Sequence, residues 1–362
     1  MKIIFNATFL NQPNTGSGQY LRALLPALKE LDASNEYSLV SPPSVVGRPS
    51  IVENLAKVWF EQIAFPRVCR SSRAEFAHVP YFGSAFFPGV RTVVTIHDLI
   101  PMLLPMYRGS PLVRAYTQLA ALSARRADAI IADSECSKRD IVRLLHVPES
   151  RVHVIYLAAD ARFQPGLAPT HVRAKYALPE KFLLYLGGYD QRKNVRVILE
   201  AFAQRPEFYR VGYRLVLGGV KLGRDSEFFP DPRRLARQAN LPDDAVQFLD
   251  WVDERDKPAL YASATVFLFA SIYEGFGLPP LEAMACGTPV LVANASSLPE
   301  VVGDAGILLD PHDAGAWANA MRDVLNNPGR RDEMHTRGIM RAQKFSWHRT
   351  AQETLQVYRA RL

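Results

Sequence analysis

The sequence is poor in cysteine, and its few thiols indicate neither a disulfide framework nor a metal site. The 362 residues include three cysteines, Cys69, Cys136 and Cys286. An odd number without metal-ligand spacing is typical of free thiols in a reducing compartment, so we expect a cytoplasmic protein. The chain also lacks an H-E-x-x-H motif, a cysteine–histidine cluster and a D-x-D dipeptide, and we therefore expect no metal and no cofactor. A P-loop and a G-x-S-x-G motif are missing as well.

Long apolar runs and a balanced charge are also missing. No run is long enough for a membrane-spanning helix, and the opening "MKIIF" is too short for a secretory signal. The net charge is +7, and residues 1–165 supply most of it with 18 Lys and Arg against 13 Asp and Glu. Such a chain attracts anions, or it simply has a solvated basic face. Because no arginine-rich run or nucleic-acid motif is present, we expect no nucleic acid partner.

What the sequence does contain is an alternation of apolar and amphipathic segments. The first half has the strand-like runs "KIIFNA", "EYSLVS", "RTVVTIHD", "DAIIADS" and "RVHVIYLA". Helical spacing follows the first run, from Leu21 to Leu31, and recurs around 111–127 and 136–146. Pro26 predicts a kink or a shortened first helix. This rhythm is typical of a parallel sheet with helices on both faces.

The second half repeats this α/β pattern after a linker. The segment "LAADARFQPGLAPT" (157–170) is rich in Pro, Gly and Ala and interrupts the alternation. We therefore predict two doubly wound α/β domains, 1–160 and 161–345, and a final amphipathic helix over 346–362. Two such domains facing each other would form a cleft at the carboxyl ends of their strands, where open α/β sheets bind ligands.

The strongest candidate site is the stretch "SIYEGFGLPPLEAMACGTPVLVANASSLPE" (271–300). The apolar run before it predicts a buried strand, "EGFG" a turn, "PP" the start of a helix and "CG" its end. The glycines let backbone N–H groups approach a phosphate closely, and the helix start adds positive potential. The carboxylates of Glu274 and Glu282 would then suit sugar or ribose hydroxyls. Glu282 is also explained as an acid favoured in a first helical turn.

Three further features point to the same ligand chemistry. In "YLGGYDQRKNVRVILEAF", Arg192 and Lys193 stand near a helix start, where an anionic ligand would offset their unfavourable position. Gly16 and Gly18 in "NTGSGQY" follow the first strand, a place that often holds phosphate or sugar. His97 ends the strand in "TVVTIHDLIP" and can hydrogen-bond a hydroxyl. The alternatives are two solvated cations, a plain turn and a structural histidine.

Together these segments resemble retaining glycosyltransferase family 4, which has the GT-B fold of two Rossmann-like domains. The resemblance covers nearly the whole chain, and its most specific part is "YEGFGLPPLEAMACGTPVLVANASSLPEVVGDAGILLDP" (273–311), with two glutamates eight residues apart. The segments "LGGYDQRKN" and "TIHDLIP" are similar to a mannosyltransferase-type branch, and "ADSECSKRDI" (132–141) also matches. Gly188 stands where some relatives carry arginine.

The resemblance implies a role for each matching position. The diphosphate would be held by Arg192 and Lys193, the ribose by Glu282 and the transferred sugar by Glu274, with His97 touching the sugar from the first domain. His97, Glu274 and Lys193 would be the catalytic residues. Backbone contacts to the donor and to the phosphate or acceptor loop would come from Gly275, Phe276, Gly277, Leu278, Trp251, Val252, Gly16 and Gly18.

The resemblance further implies a metal-independent, retaining sugar transfer from a nucleotide diphosphate donor, for which we favour GDP-mannose. The acceptor would be a glycan or a lipid-linked glycan of a cell-surface polysaccharide, placed near the aromatics of "HVPYFGSAFF" (78–87), although these also suit a core. We favour front-face attack over Glu274 as a covalent nucleophile. A UDP-sugar donor, a sugar-nucleotide epimerase and a non-catalytic binding protein are the alternatives. A peripheral contact with the inner membrane face is left open.

Overall fold

The chain forms two compact units, which are described separately. The computed structural model describes residues 1–12, 15–43, 50–166, 170–219 and 225–361. The first unit contains residues 1–157 and 346–362, and the second contains residues 158–345. Part of the predicted linker (167–169), two residues of the first glycine-bearing loop (13–14) and the last residue of the predicted final helix (362) lie outside the described residues.

Each unit is built on a six-stranded sheet in which every neighbouring pair of strands is parallel. The first sheet has the order β2-β1-β3-β4-β5-β6 and the second β12-β11-β10-β7-β8-β9. The strands are β1 (Lys2–Asn6), β2 (Glu36–Val40), β3 (Phe76–Val79), β4 (Arg91–Ile96), β5 (Ala129–Ala132), β6 (Val152–Val154), β7 (Lys181–Gly187), β8 (Tyr213–Gly219), β9 (Val246–Trp251), β10 (Val266–Phe269), β11 (Val290–Ala293) and β12 (Ile307–Leu309).

Helices connect the strands and cover the sheets. They are α1 (Gly16–Leu31), α2 (Ser50–Trp59), α3 (Phe65–Ser71), α4 (Ile100–Leu103), α5 (Pro111–Ala124), α6 (Glu135–Leu145), α7 (Thr170–Lys175), α8 (Val195–Ala203), α9 (Pro206–Arg210), α10 (Pro232–Gln238), α11 (Lys257–Ser263), α12 (Leu278–Ala285), α13 (Leu298–Val302), α14 (Ala314–Asn326), α15 (Pro328–Ala342) and α16 (Trp347–Arg359). A π-helical turn, Phe60–Ala64, joins α2 to α3. No helix among the described residues is both long and apolar enough to cross a bilayer.

The strand order creates one switch point in each sheet. In the first sheet β1 is flanked by β2 and β3, and in the second β7 is flanked by β8 and β10. The connection that follows β1 or β7 runs to one side of that strand, and the connections on its other side run the opposite way. This divergence opens a crevice beyond the carboxyl ends of the strands. The predicted segments 187–193 and 270–278 directly follow β7 and β10, so the fold brings them to the same switch point.

The predicted doubly wound α/β fold is confirmed for both halves, with one strand missed. The short strand β3 was not predicted, because its four residues include a histidine and show no alternation. Of the two outcomes predicted for Pro26, a kink or a shortened first helix, the second does not occur, since α1 continues to Leu31. Pro26 is exposed, so water can hydrate the carbonyl it leaves unpaired, while Leu24, Leu25 and Leu28 hold the helix on the sheet.

The last helix, α16, belongs to the first unit. Its Thr350 hydroxyl donates to the carbonyl oxygen of Tyr156 at 2.7 Å. Near its end the Tyr358 hydroxyl is hydrogen-bonded to Nδ1 of His78, whose Nε2 lies 2.9 Å from the Thr95 hydroxyl. All of these side chains are buried except that of Tyr156, so α16 completes the core of this unit.

The two glycines at the start of α1 differ in the space around them. A Cβ atom on Gly18 would lie 2.3 Å from the carbonyl oxygen of Gln12 and 2.6 Å from that of Phe9. Among the described residues, a Cβ atom on Gly16 would have no neighbour within 4 Å. Gly18 is therefore required by the close packing of the preceding loop on the helix, whereas Gly16 is not required by packing.

We predict that Gly18→Ala lowers the Tm of the protein by about 2–12 °C, because a backbone shift in a packed region costs about 1–3 kcal/mol. Gly16→Ala is the matched control and should leave Tm unchanged or slightly raised, since alanine favours a helix. Differential scanning calorimetry of both variants measures this. Equal effects of the two substitutions would contradict the packing argument.

Candidate active site

The turn between β10 and α12 has the predicted strand–turn–helix form. Strand β10 ends at Phe269, and α12 begins at Leu278 with prolines in its first turn. Gly277 precedes the helix with φ +125°, a conformation that side chains rarely adopt. Gly287 follows it with φ +79°, as expected for a glycine that ends a helix. The segment therefore presents backbone between Glu274 and the helix start at the switch point.

Glu274 in this turn is held by two cations from the neighbouring loop. Oε1 of Glu274 lies 2.6 Å from Nζ of Lys193 and 2.7 Å from Nη1 of Arg192. The side chains of Lys193 and Glu274 are each 14% exposed, so the cluster is largely buried. Arg192 and Lys193 lie in a short 3₁₀ turn, Gln191–Lys193, ahead of α8. The predicted donor residues Arg192, Lys193 and Glu274 are thus brought together.

The charges in this cluster control the ionisation of Glu274. Burial alone would raise the pKa of the carboxyl group, but Lys193 and Arg192 outweigh burial and hold that pKa below its ordinary value. Glu274 is therefore a carboxylate at neutral pH. Two positive charges face the one negative charge of Glu274, and the Asp190 carboxylate lies 3.5 Å from Nε of Arg192. With Asp190 the charges balance, so an anionic ligand would have to draw Lys193 away from Glu274.

The two cations have different roles in the ligand-free protein. Nη1 of Arg192 also donates to the carbonyl oxygen of Tyr273 at 2.7 Å, and its Nε lies 3.5 Å from Asp190. Arg192 therefore fixes the shape of the turn. Lys193 contacts Glu274 and lies 5.2 Å above the ring of Phe269. An ammonium group can redirect its three N–H bonds to a ligand more easily than a guanidinium tied to the backbone.

Two serines that the sequence reasoning missed hold the turn from below. The backbone N–H of Glu274 donates to the Ser296 hydroxyl at 2.8 Å, and the Ser297 hydroxyl donates to the carbonyl oxygen of Glu274 at 2.9 Å. Phe276 is buried, with its ring 5.8 Å from that of Phe345. These contacts order the backbone around Gly275. The sequence feature that could have predicted this support is the serine pair in "NASSLPE", directly after β11.

Glu282 lies one turn into α12 and has a different environment. Its Oε2 accepts a hydrogen bond from the Tyr261 hydroxyl at 3.0 Å. Burial raises the pKa of Glu282 to about 7, against the opposing effects of Lys257 and Tyr261. The two glutamates of the motif are therefore not equivalent: Glu274 is ionised by its cations, whereas Glu282 is close to half-protonated at neutral pH.

The remaining residues predicted for the second unit are placed by β9. Trp251 ends this strand with 45% of its surface exposed, and Val252 after it is fully buried. A cavity of about 830 Å³ in this unit is lined by Asp190, Ile272 and His312 among others. Lys193, Glu274 and Glu282 are not among its lining residues, so this cavity is a neighbour of the ion cluster and does not contain it.

In the first unit, His97 follows β4 and pairs with a residue that was not predicted. Its Nδ1 lies 2.7 Å from Oδ2 of Asp133, which follows the adjacent strand β5. Burial alone would lower the pKa of His97, but Asp133 raises it above the ordinary value. His97 therefore keeps its proton to a higher pH than an ordinary histidine does. The signal for Asp133 was "ADSECSKRDI", which places an acid at a strand end.

The aromatic segment 78–87 of the first unit divides between core and surface. Tyr81 is buried and donates to Glu61 at 2.8 Å, whereas Phe87 is 70% exposed. The guanidinium of Arg126 lies 4.0 Å from the ring centroid of Phe86 and 5.2 Å from that of Phe87. Part of the segment is therefore core and part of it is exposed. Across the described ranges, no three His, Cys, Asp or Glu side chains converge as a metal site would require.

Comparison with known families assigns the chain. Residues 170–341 match the family described as Glycosyl transferases group 1, and residues 21–163 match Glycosyltransferase Family 4. The chain is 31% identical to O-antigen chain mannosyltransferase B of Escherichia coli over an alignment that covers 99% of this chain and 100% of that protein. The protein therefore belongs to glycosyltransferase family 4 and is a glycosyltransferase, as expected.

Solved structures show the same fold. Sucrose-phosphate synthase (tll1590) from Thermosynechococcus elongatus superposes with a TM-score of 0.77 at 23% identity, covering 99% of this chain and 98% of that one. Anabaena Alr3699/HepE in complex with UDP and glucose gives 0.76 at 18% identity, covering 99% and 100%. The predicted GT-B fold is thus confirmed.

We predict that Glu274→Ala destabilises the protein by about 3 kcal/mol, a fall of roughly 6–12 °C in Tm, because it leaves Lys193 and Arg192 facing each other without their shared carboxylate. Glu200→Ala is a matched control in the same unit, since its ion pair with Arg196 is 45% and 55% exposed and should contribute less than about 1 kcal/mol. Calorimetry compares the two. Similar small effects would show that the cluster is not a buried network.

Proposed function

We propose that this protein is a retaining, metal-independent mannosyltransferase that uses GDP-mannose and extends a glycan or lipid-linked glycan of a cell-surface polysaccharide. The observation that carries the proposal is the ion cluster of Arg192, Lys193 and Glu274 beside the start of α12. The choice of sugar is supported by the relative named O-antigen chain mannosyltransferase B, which matches over its full length.

The chemistry of the leaving group explains this use of charge. Cleavage of a sugar–phosphate bond leaves a nucleoside diphosphate whose developing charge must be stabilised. Lys193 would turn from Glu274 to the diphosphate, and the backbone N–H groups of Gly275, Gly277 and Leu278 would add hydrogen bonds at the positive end of α12. Two side-chain cations and a helix start supply positive charge of the kind that a divalent metal supplies in other transferases.

Glu274 would then bind hydroxyl groups of the transferred sugar. Arg192 would still hold Glu274 after Lys193 turned to the diphosphate, and a carboxylate held by a cation is a weaker nucleophile than a free one because its charge is already engaged. This favours front-face attack. The acceptor oxygen bonds to the anomeric carbon on the face from which the phosphate leaves, the bond between that carbon and the phosphate oxygen breaks, and the acceptor proton passes to the leaving phosphate. His97 would donate a hydrogen bond to the sugar, and Glu282 would accept hydrogen bonds from the ribose.

The base-contacting residues would be Trp251 and Val252 at the end of β9, through their backbone groups. The Gly16–Gly18 loop would meet the phosphate or the acceptor, with Gly16 the position that packing leaves open to a ligand. The acceptor would contact the first unit near the exposed ring of Phe87. We propose that the reaction takes place in the cytoplasm, with a peripheral contact to the inner face of the membrane.

A UDP-sugar is the second candidate donor, and a solved relative in complex with UDP and glucose favours it. The two donors differ in base and sugar but share the diphosphate, so the proposed contacts of Arg192 and Lys193 with the diphosphate do not distinguish them. A sugar-nucleotide epimerase would differ in acting without an acceptor, and a non-catalytic binding protein in releasing no nucleotide.

We predict that the full chain releases GDP from GDP-mannose when a mannose-terminated oligosaccharide with an apolar anchor is added, and that NMR of the product shows an α-mannosidic bond. Lys193→Ala should lower kcat by about 10²–10³-fold, because it removes stabilisation of the leaving group. Arg196→Ala, an exposed cation on the next helix, is the matched control and should keep its activity.

Each other outcome selects against the proposal. Turnover of UDP-glucose but not GDP-mannose would select the second donor, and conversion of the donor without acceptor would indicate an epimerase. Trapping of a glycosylated Glu274 by mass spectrometry would exclude front-face attack. Loss of activity on adding EDTA, restored by a divalent cation, would contradict metal independence.

We also predict that donor binding at pH 7 releases about half a proton from Glu282, because a group with a pKa of about 7 is half-protonated there and ribose hydroxyls favour its ionised form. Donor affinity should rise between about pH 6 and pH 8 and then level off. Calorimetric titration with GDP-mannose in buffers of different ionisation enthalpy measures the release. Glu282→Gln should bind without it, and a release that persists in this variant would assign the proton elsewhere.

A further inference from the structure

Two strand ends in the first unit place a carboxylate beside His97. Strands β4 and β5 are adjacent and parallel, and Ile96 lies opposite Ala132. His97 follows Ile96 and Asp133 follows Ala132, so the register of the two strands itself brings these two side chains together. Their contact, 2.7 Å between Nδ1 and Oδ2, follows directly from this register.

Asp133 is buried in a way that needs a partner. Its side chain is 2% exposed, and a buried carboxylate is costly unless it is paired or hydrogen-bonded. It directly precedes the N-cap of α6, Ser134, where the positive end of the helix favours negative charge. Oδ2 of Asp133 is hydrogen-bonded to His97, whereas Oδ1 has no hydrogen-bond partner among the described residues.

The ring of His97 is held on several sides. The Ser137 hydroxyl donates to its backbone carbonyl oxygen at 3.0 Å, and the ring of Tyr20 packs against the imidazole edge-to-face at 5.2 Å between centroids. Nε2 is buried, and in the part of the chain that the structure describes it makes no hydrogen bond of good geometry, although the carbonyl of Pro80 is close enough to favour a protonated ring. Buried polar atoms are almost always paired, so a ligand oxygen that reached Nε2 would compete with the Pro80 carbonyl for this position.

We propose that Asp133 is a positioning residue: it fixes the His97 imidazole with Nδ1–H directed at the carboxylate and keeps Nε2 as an N–H donor to an oxygen of the substrate. This inference rests on the proposed function in one respect, the contact of His97 with the sugar. A neutral imidazole carries only one N–H, so a neutral ring that directed Nδ1–H at Asp133 would leave Nε2 as an acceptor. Asp133 instead favours the protonated ring, in which Nδ1–H faces the carboxylate and Nε2–H is also a donor.

The charged and titratable groups around His97 give the direction of its pH response. Asp133 from β5 and Asp98 from its own strand end favour the protonated ring, while burial opposes it. His78 on β3 stays neutral, since burial lowers its pKa to about 3, and Tyr20 on α1 stays protonated because burial raises its pKa. With a raised pKa in the folded protein, the charged His97 persists above the ordinary titration range and is lost as pH rises through that raised value.

The test is an NMR titration of the full chain, following the His97 Cε1–H signal, assigned by its absence in His97→Gln. In the wild type we expect a midpoint above about 6.5, and in Asp133→Asn a midpoint at least about one pH unit lower, because the variant keeps the shape but removes the charge. Asp133→Glu keeps the charge and should retain a raised midpoint. Asp98→Asn, which removes a carboxylate that does not touch the ring nitrogens, should lower the midpoint less.

A kinetic measurement separates positioning from a structural role. The alkaline limb of kcat/KM against pH should move to lower pH in Asp133→Asn by the same amount as the NMR midpoint, while Tm changes little. An unchanged His97 midpoint in this variant, or a loss of Tm with an unmoved pH profile, would overturn the proposal. A lowered midpoint in a protein that turns over no sugar nucleotide would uphold the pairing and refute the proposed function.

Discussion

The site depends on one buried carboxylate that two cations share. Glu274 lies in a turn at the switch point of the second sheet, where burial would destabilise its negative charge. Lys193 and Arg192, from the loop after the neighbouring strand, stabilise that charge. Because β7 and β10 are adjacent and parallel, their carboxyl ends deliver the acid and the cations to one place. The two cations are what an incoming diphosphate can use, and they are in place before any ligand binds.

The first unit uses the same arrangement, with one acid and one histidine in place of one acid and two cations. Its adjacent strand ends supply a buried acid, Asp133, and a group that can carry a positive charge, His97. In both units the polar pair is presented by the ends of rigid parallel strands, so its geometry is fixed by sheet register and requires little ordering when a ligand arrives. Glu282 is the exception, since burial outweighs the opposing effects of Lys257 and Tyr261 and raises its pKa to about 7.

Much of this could be predicted from the sequence, because each unit repeats one rule: an apolar strand, a short polar loop and a helix. The turn at Glu274, the prolines that begin α12 and the glycine that ends it were all legible as local signals. Contacts between distant segments were not, because residues such as Asp133 and Ser296 meet their partners only through strand order. The prediction of strand β3 failed because its local signal was too weak, since its four residues include a buried histidine and show no periodic pattern. The split of pKa values between Glu274 and Glu282 also required the structure, because it depends on which cations lie nearby.

The most direct test of this account is a crystal structure of the full chain with a non-transferable analogue of GDP-mannose. We predict that Nζ of Lys193 lies about 3 Å from a diphosphate oxygen, that Glu274 accepts hydrogen bonds from the sugar and that Glu282 accepts them from the ribose. A nucleotide bound elsewhere, with the Lys193–Glu274 contact still at 2.6 Å, would contradict the claim that this ion cluster is the donor site.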